Sequence, residues 1–497
     1  MLADTPDVDA STIAVQSLPE DLPVRRIGLE HEFFLVDQRG ELRDLADPFL
    51  WLCQEAARAK GLDPHCFKPE CMTNLVEVTT PPSSGFADMA RGYLSNLNLA
   101  LEVASDLGLS LYPLGTYPLP VWPVVRDDPG YRIKERTIGH ERFLQAGRCA
   151  GAHLHLELPA GTVWPDVKAA LRAPPAAQRE LLGLYNLATA LDPALVALTR
   201  ACPFYEGRVS GFAARTVYYR GTLGFDGLYA DLQEVGGLSA YASRVEDLVD
   251  QQRARYRAWF AAMDRAGVER RLFAQTGGNL HRASWNPVRL SRHGTMEIRS
   301  MDANYPEMVL ALCALILGAA ERVRHERLEV IPSRVARTLE LDGDRLLVPT
   351  FSYLNGELLD AAVTRGRRDG RIEAYLDSFI GFASAYLEEP DFIEPLRSSG
   401  GYETTESEVL RSFPTHGTSL TRDQGLSLVR ESCHRMEEQV SSLRQRHEET
   451  PPGNELDPEV GRVIYIGDSP AVFAEGAHPE RGDDEQATMR AANKEPA

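Results

Sequence analysis

In the segment RRIGLEHEFFLVD, Glu30 and Glu32 stand two residues apart, with Leu29, Phe33 and Leu35 at alternate positions. An extended strand turns every second side chain to one side, so the two carboxylates share a surface and the apolar residues share the other. The same alternation recurs three times. Glu77 sits between Val76 and Val78; His153, His155 and Glu157 alternate with Leu154, Leu156 and Leu158; Glu297 and Arg299 alternate with Met296 and Ile298. An antiparallel sheet with one wet face shows this pattern too, but such a face usually carries a mixture of Thr, Lys and Ser. Here acids or histidines occupy it in all four segments. If the strands lie side by side the carboxylates converge, and two of them about 4 Å apart repel by up to about 4 kcal/mol at an effective dielectric of about 20. Divalent cations would relieve that repulsion. Oxygen-rich groups with an occasional imidazole suit magnesium or manganese, ions that commonly bridge nucleotide phosphates.

Other chemistries lack their residues. No G-x-x-x-x-G-K-[ST] and no strand-borne G-x-G-x-x-G occurs, which removes the usual P-loop and dinucleotide sites. His31-Glu32 has no second histidine at H-E-x-x-H spacing, and no G-x-S-x-G elbow is present.

The elements that must position these residues can be read from periodicity. After each of the first two strands comes a helical run, Phe49 to Ala59 and then Met89 to Gly108, with Pro81 and Pro82 stopping the second strand. The third strand is CAGAHLHLEL. Helices are expected over 178–200 and 243–265, GTMEIRSMD is the fourth strand, and a long apolar helix starts near Pro306. Beyond about 330, short strands at 336–353 and helices at 371–388 and 424–448 are expected. Leu426, Val429, Cys433, Met436, Val440 and Leu443 have the spacing of an amphipathic helix seam. Residues 1–21 form a polar, acidic lead-in, and 451–497 a polar tail, expected to be largely disordered, in which only GRVIYIGD resembles a strand. The fold class expected is α+β, with one catalytic domain over 22–450.

The net charge of −19 argues against nucleic acid, which needs clustered cations. The longest apolar stretch, Met308 to Ala320, is too short for a bilayer, and the acidic start is unlike an export signal. Seven cysteines, odd in number and without C-x-x-C, fit reduced thiols and a cytoplasmic location.

Five segments in order, GLEHEFFLVD, ECMTNLVEVTTPP, GAHLHLEL, ACPFYEGRVSGFAARTVYY and GTMEIRSMDAN, resemble the signature segments of glutamate-cysteine ligase type 2 and the related bacterial carboxylate-amine ligases. The resemblance covers roughly residues 25–305. It implies a glutamine synthetase-like antiparallel sheet, its polar face holding metals and ATP and its reverse covered by helices. It implies metal ligation by Glu30, Glu32, Glu77, His153 and Glu297, and catalysis by Glu297 together with Arg299, which would steady the transferring phosphoryl group. Arg215 matches an arginine that holds a substrate carboxylate, and Glu70 a second acid of the substrate region. His281, Trp285, Asn286 and Arg289 fall where relatives have a loop near the nucleotide. The implied reaction joins glutamate to an amine such as cysteine, using ATP and Mg2+ or Mn2+, as in glutathione biosynthesis. After Asn304 the N-x-W-x-A-x-R-x-G stretch of shorter relatives is not recognisable, and the later helices are expected to supply a lid or a homo-oligomer interface.

Overall fold

A computed structural model describes residues 25–162, 168–279, 282–397, 404–413 and 417–448. The expectations for the lead-in, the tail with GRVIYIGD, and His281 lie outside the described residues. Twelve strands run in chain order: β1 (Ile27–Asp37), β2 (Phe67–Pro69), β3 (Leu75–Thr79), β4 (Leu109–Tyr112), β5 (Gly151–Glu157), β6 (Phe204–Tyr205), β7 (Arg208–Val209), β8 (Val288–Leu290), β9 (Thr295–Asp302), β10 (Glu329–Ser333), β11 (Glu340–Asp342) and β12 (Arg345–Pro349). The main sheet has the order β2-β3-β1-β5-β9-β8, with β4 also paired to β1, and every pairing in it is antiparallel. Helices intervene between its strands, so the class is α+β, as expected. All the described residues fall in one compact unit.

The apolar face of this sheet rests on helices. His31, which alternates onto that face, is fully buried and bonds through Nδ1 to the Tyr93 hydroxyl of the Phe86–Asp106 helix at 2.7 Å. The Asn96 amide of the same helix donates to the Thr79 carbonyl at the end of β3 at 2.9 Å. The Pro175–Leu198 helix packs against β9, where Ser300 Oγ donates to Asp192. That helix is apolar around its circumference and buried from Gly183 to Leu198, the signature of a core helix. By length and composition alone it could cross a membrane, but 94% of its apolar window is buried within this fold. The Pro306–His325 helix packs against both of these helices, Pro306 opening it where a missing N–H costs nothing.

The region beyond 330 contains β10, β12 and β11 in a small sheet, in which β10 and β12 are parallel, followed by helices including Gly370–Ala383 and Arg422–Glu448. Val429, Cys433, Met436, Val440 and Leu443 are buried, and their helix packs on Phe86–Asp106. The amphipathic seam is therefore spent inside the chain's own fold.

Candidate active site

Strand register builds the site. Lys68 of β2 lies opposite Glu77 of β3, and Glu77 opposite Glu32 of β1. Glu30 lies opposite His153 of β5; His155 lies opposite Glu297 of β9, and Glu297 opposite Arg289 of β8. Opposed residues in a sheet have Cβ atoms about 5 Å apart, so charged neighbours on six strands are bound to interact. A register shift between Ala152 and Leu154 marks a bulge where β5 meets β9. Bulges re-aim side chains, and Arg299 lies on this stretch with one guanidinium nitrogen against Glu297 and 3.3 Å from His153 Nδ1.

This face is not wet. Glu30, Glu32, Glu77, His153, His155 and Glu297 are all buried. His153 Nδ1 stands 3.2 Å from Glu30 Oε2 and 3.9 Å from Glu297 Oε1, and its Nε2 is 3.7 Å from Glu32 Oε1. His155 Nε2 is 3.4 Å from Glu30 Oε1, while its Nδ1 meets the Thr295 hydroxyl at 2.8 Å. Three sets of side chains can each bring one ligand atom apiece within 4.8 Å of the others: Glu30, Glu77 and His153; Glu30, His155 and Glu297; Glu32, Glu70 and Glu77. Glu30 Oε1, His153 Nε2 and His155 Nε2 have no hydrogen-bond partner among the described residues. Unsatisfied acceptors buried beside one another are costly, and lone pairs converging from carboxylates and imidazoles fit a divalent cation.

The electrostatics divide the cluster. Burial opposes ionisation of Glu297, yet Arg289, at 2.5 Å, and Arg299 hold its carboxyl down at about 2. Burial likewise opposes ionisation of Glu30, but neighbouring His155, the His153 hydrogen bond and Lys68 together hold it well below the usual range. Glu32 goes the other way, pushed up to about 8 by burial and then by Glu70, although Gly151 N–H donates to it at 2.6 Å. Glu77 is raised by burial and then by Glu30, and Glu70 by burial despite Arg299. Burial and then Arg299 depress the imidazole of His153 to about 4, keeping it a neutral lone-pair donor.

Beside the cluster, Arg215, Tyr219, Trp285 and Arg299 line a small cavity. Arg215 rides on the Ala214–Arg220 helix and donates from both terminal nitrogens to the Arg299 carbonyl at 3.3 Å. Trp285 stacks on Tyr229 with ring centroids 5.8 Å apart, and Lys134 Nζ lies 4.5 Å from its ring centre. The other two residues of the expected nucleotide loop are otherwise engaged. Asn286 is fully buried and its amide donates to the Glu234 and Gly237 carbonyls, bracing the loop, while Arg289 is held on Glu297 and the Ser284 carbonyl. Glu157 shares the parity of the two histidines but pairs with Arg26. Sequence reasoning missed Lys68, whose three-residue strand is too short to show alternation. It also left His155 out of the ligand set, though parity placed it there.

An antiparallel sheet with a buried face of acids, imidazoles and arginines, backed by helices, gathers groups able to hold divalent cations. The chain belongs to glutamate-cysteine ligase family 2, whose model matches residues 26–342. Proteins provisionally named glutamate-cysteine ligase 2 are similar to it: one from Pseudomonas aeruginosa is 30% identical over 191 residues, 38% of this chain and 45% of that protein. Another, from Clavibacter sepedonicus, is 27% identical over 215 residues, 42% of this chain and 50% of that protein. The chain thus spans about half the length, or less, of these relatives. Among solved structures, a Francisella tularensis glutamate-cysteine ligase in complex with AMP overlaps 86% of this chain and 93% of its own, at 12% identity and a TM-score of 0.43. A bifunctional glutathione synthetase from Pasteurella multocida overlaps 84% and 54%, at 13% identity and a TM-score of 0.39. Overlaps this loose add nothing to the family assignment.

Proposed function

We propose that the protein is an ATP-dependent carboxylate-amine ligase that joins the side-chain carboxylate of glutamate to the amine of cysteine in the cytoplasm. The observation that carries this reading is the buried row of Glu77, Glu32, Glu30, His153, His155 and Glu297 with Arg299 and Arg215 at its side. Family membership supports the reaction class, and the family's description supports cysteine as the amine. Seven unpaired cysteines agree with a reducing compartment.

Mg2+ or Mn2+ would be held by Glu30, Glu32, Glu77, His153 and Glu297, with Glu70 and His155 completing the sets, and would neutralise charge on the nucleotide phosphates. Arg299 stands beside Glu297 and His153, where its guanidinium can stabilise charge developing on the γ-phosphoryl as the glutamate carboxylate attacks in line. Arg215 would hold the remaining carboxylate of glutamate and so fix the attack geometry. Attack of the cysteine amine on the resulting acyl phosphate then forms the amide and releases phosphate, and the buried floor limits competing hydrolysis.

Incubation with ATP, Mg2+, glutamate and a panel of amino acids, with products identified by mass, tests this. γ-Glutamylcysteine is the expected product. Coupling to another amine and not to cysteine removes the acceptor assignment, and absence of phosphate release with every amine removes the ligase reading.

A further inference from the structure

Three guanidiniums line the small cavity beside the cluster, those of Arg215, Arg220 and Arg299. Arg215 and Arg220 stand on the same short helix, Ala214–Arg220, and Thr216 and Tyr219 between them also line the cavity, so this wall is a single stretch of helix. Arg220 is held in place from behind. Asp192, wholly buried on the Pro175–Leu198 helix, accepts from its two terminal nitrogens at 2.7 Å each and from the Ser300 hydroxyl. A planar fork gripped at both tines is fixed in orientation. A guanidinium carries more N–H donors than one carboxylate takes up, and among the described residues the Arg220 side chain makes no further hydrogen bond.

We propose that Arg220 binds the free carboxylate of the amine acceptor, so that the acceptor is an α-amino acid and not a simple amine. This rests on the ligase reading. Coupling glutamate to an amino acid brings into the site one unreacting carboxylate from each substrate. Arg299 stands beside Glu297 and His153, where the phosphoryl group would lie. Arg215, whose buried Nε has no hydrogen-bond partner among the described residues, is placed for the carboxylate of glutamate. Of the three guanidiniums in the cavity, Arg220 is left for the acceptor. Positions 215 and 220 are about 7.5 Å apart along the helix axis, at about 1.5 Å per residue, a span that the two carboxylates of a γ-glutamyl dipeptide can bridge. Pairing with Asp192 balances the charge of Arg220, so what it offers is oriented donors. Such donors discriminate against an acceptor that leaves them unpaired.

The test compares cysteine with cysteamine, which keeps the amine and the thiol but lacks the carboxylate, by phosphate release and product mass. It uses wild type, Arg220→Lys, and a double variant, Asp192→Asn with Arg220→Gln, in which no buried charge is stranded. Wild type is expected to favour cysteine by at least about 100-fold in kcat/KM. The double variant should bring that preference within about threefold, chiefly through a raised KM for cysteine, while KM for glutamate moves by less than about threefold. Arg220→Lys should fall between the two. Wild type that uses both acceptors equally well overturns the assignment. So does a variant, melting near wild type, that keeps the preference or raises KM for glutamate instead. If the double variant fails to fold, the wild-type comparison and Arg220→Lys carry the same outcomes. Absence of phosphate release from wild type with every amine removes the ligase reading, and this assignment with it.

Discussion

Glu297 shows how much of the site turns on single side chains. It is fully buried, it belongs to one of the ligand sets, and it is flanked by Arg289 and Arg299. Glu297→Gln keeps shape but turns one of two acceptor oxygens into a donor and removes a negative charge from between two guanidiniums. We expect ATP turnover to fall by at least about 100-fold, as on loss of a group that organises transition-state charge. Far-ultraviolet circular dichroism should be unchanged, with a melting point lowered by a few degrees because Arg289 loses its ionic partner. Turnover within tenfold of wild type, with ordinary magnesium dependence, would contradict this placement. At this scale the residue types were the legible part. Glu30, Glu32, Glu77, His153 and Glu297 were marked by parity within strands, because period-two alternation is written directly into sequence. Lys68 was not, since a side chain's role across a sheet depends on register, and register is set by contacts that a linear reading does not contain.

At the scale of elements, two close approaches govern the position of Arg215. Gly151, the first residue of β5, lies so near its guanidinium that a Cβ there would come within 2.2 Å of Nη2. The obstruction is the end of a flexible side chain, so Gly151→Ala should displace Arg215 and leave the sheet intact. Raised KM for glutamate, about tenfold, with melting within a few degrees of wild type, is the expected result; unchanged KM would detach Arg215 from substrate binding. The second approach comes from beyond the family-matched span. Ala213 N, at the start of the helix bearing Arg215, bonds the Val363 carbonyl at 2.9 Å, and the same carbonyl accepts from Arg200, which is paired bidentately with Glu406 at 2.8 Å. Both partners of that pair are buried. Glu406→Ala should therefore cost about 3–5 kcal/mol in denaturant unfolding, the penalty of stranding a buried charge. Glu408→Ala, which breaks a half-exposed pair with Arg435, should cost less than about 1 kcal/mol. Equal losses would show that the Arg200–Glu406 pair does not brace the core. Helices and strands were legible here from hydrophobic period, and a brace between residues 206 positions apart was not.

For the whole molecule, the buried acids make stability depend on pH, and the direction can be derived. Glu32 rises from an ordinary 4.5 to about 8 on folding, and Glu77 and Glu70 rise too. A folded state that keeps protons the unfolded chain releases loses stability as pH increases. His31 and His153, lowered to about 3 and about 4 from 6.5, contribute with the opposite sign, but only below pH 6.5. Glu297, lowered to about 2, has finished its contribution above 4.5. Between pH 6.5 and 8 the raised carboxyls dominate among the described residues, so the metal-free protein should melt at progressively lower temperature across that window. Divalent cations favour the ionised carboxylates and bind only the folded site, so millimolar Mg2+ should raise the melting point more at pH 8 than at pH 6.5. Glu32→Gln should flatten the metal-free profile. Scanning calorimetry after chelation, with and without Mg2+, measures both effects. A melting point that climbs from pH 6.5 to 8 without metal, or an equal gain from Mg2+ at the two pH values, would mean that the cluster is neutralised by its own arginines and lysine and has no call on a cation.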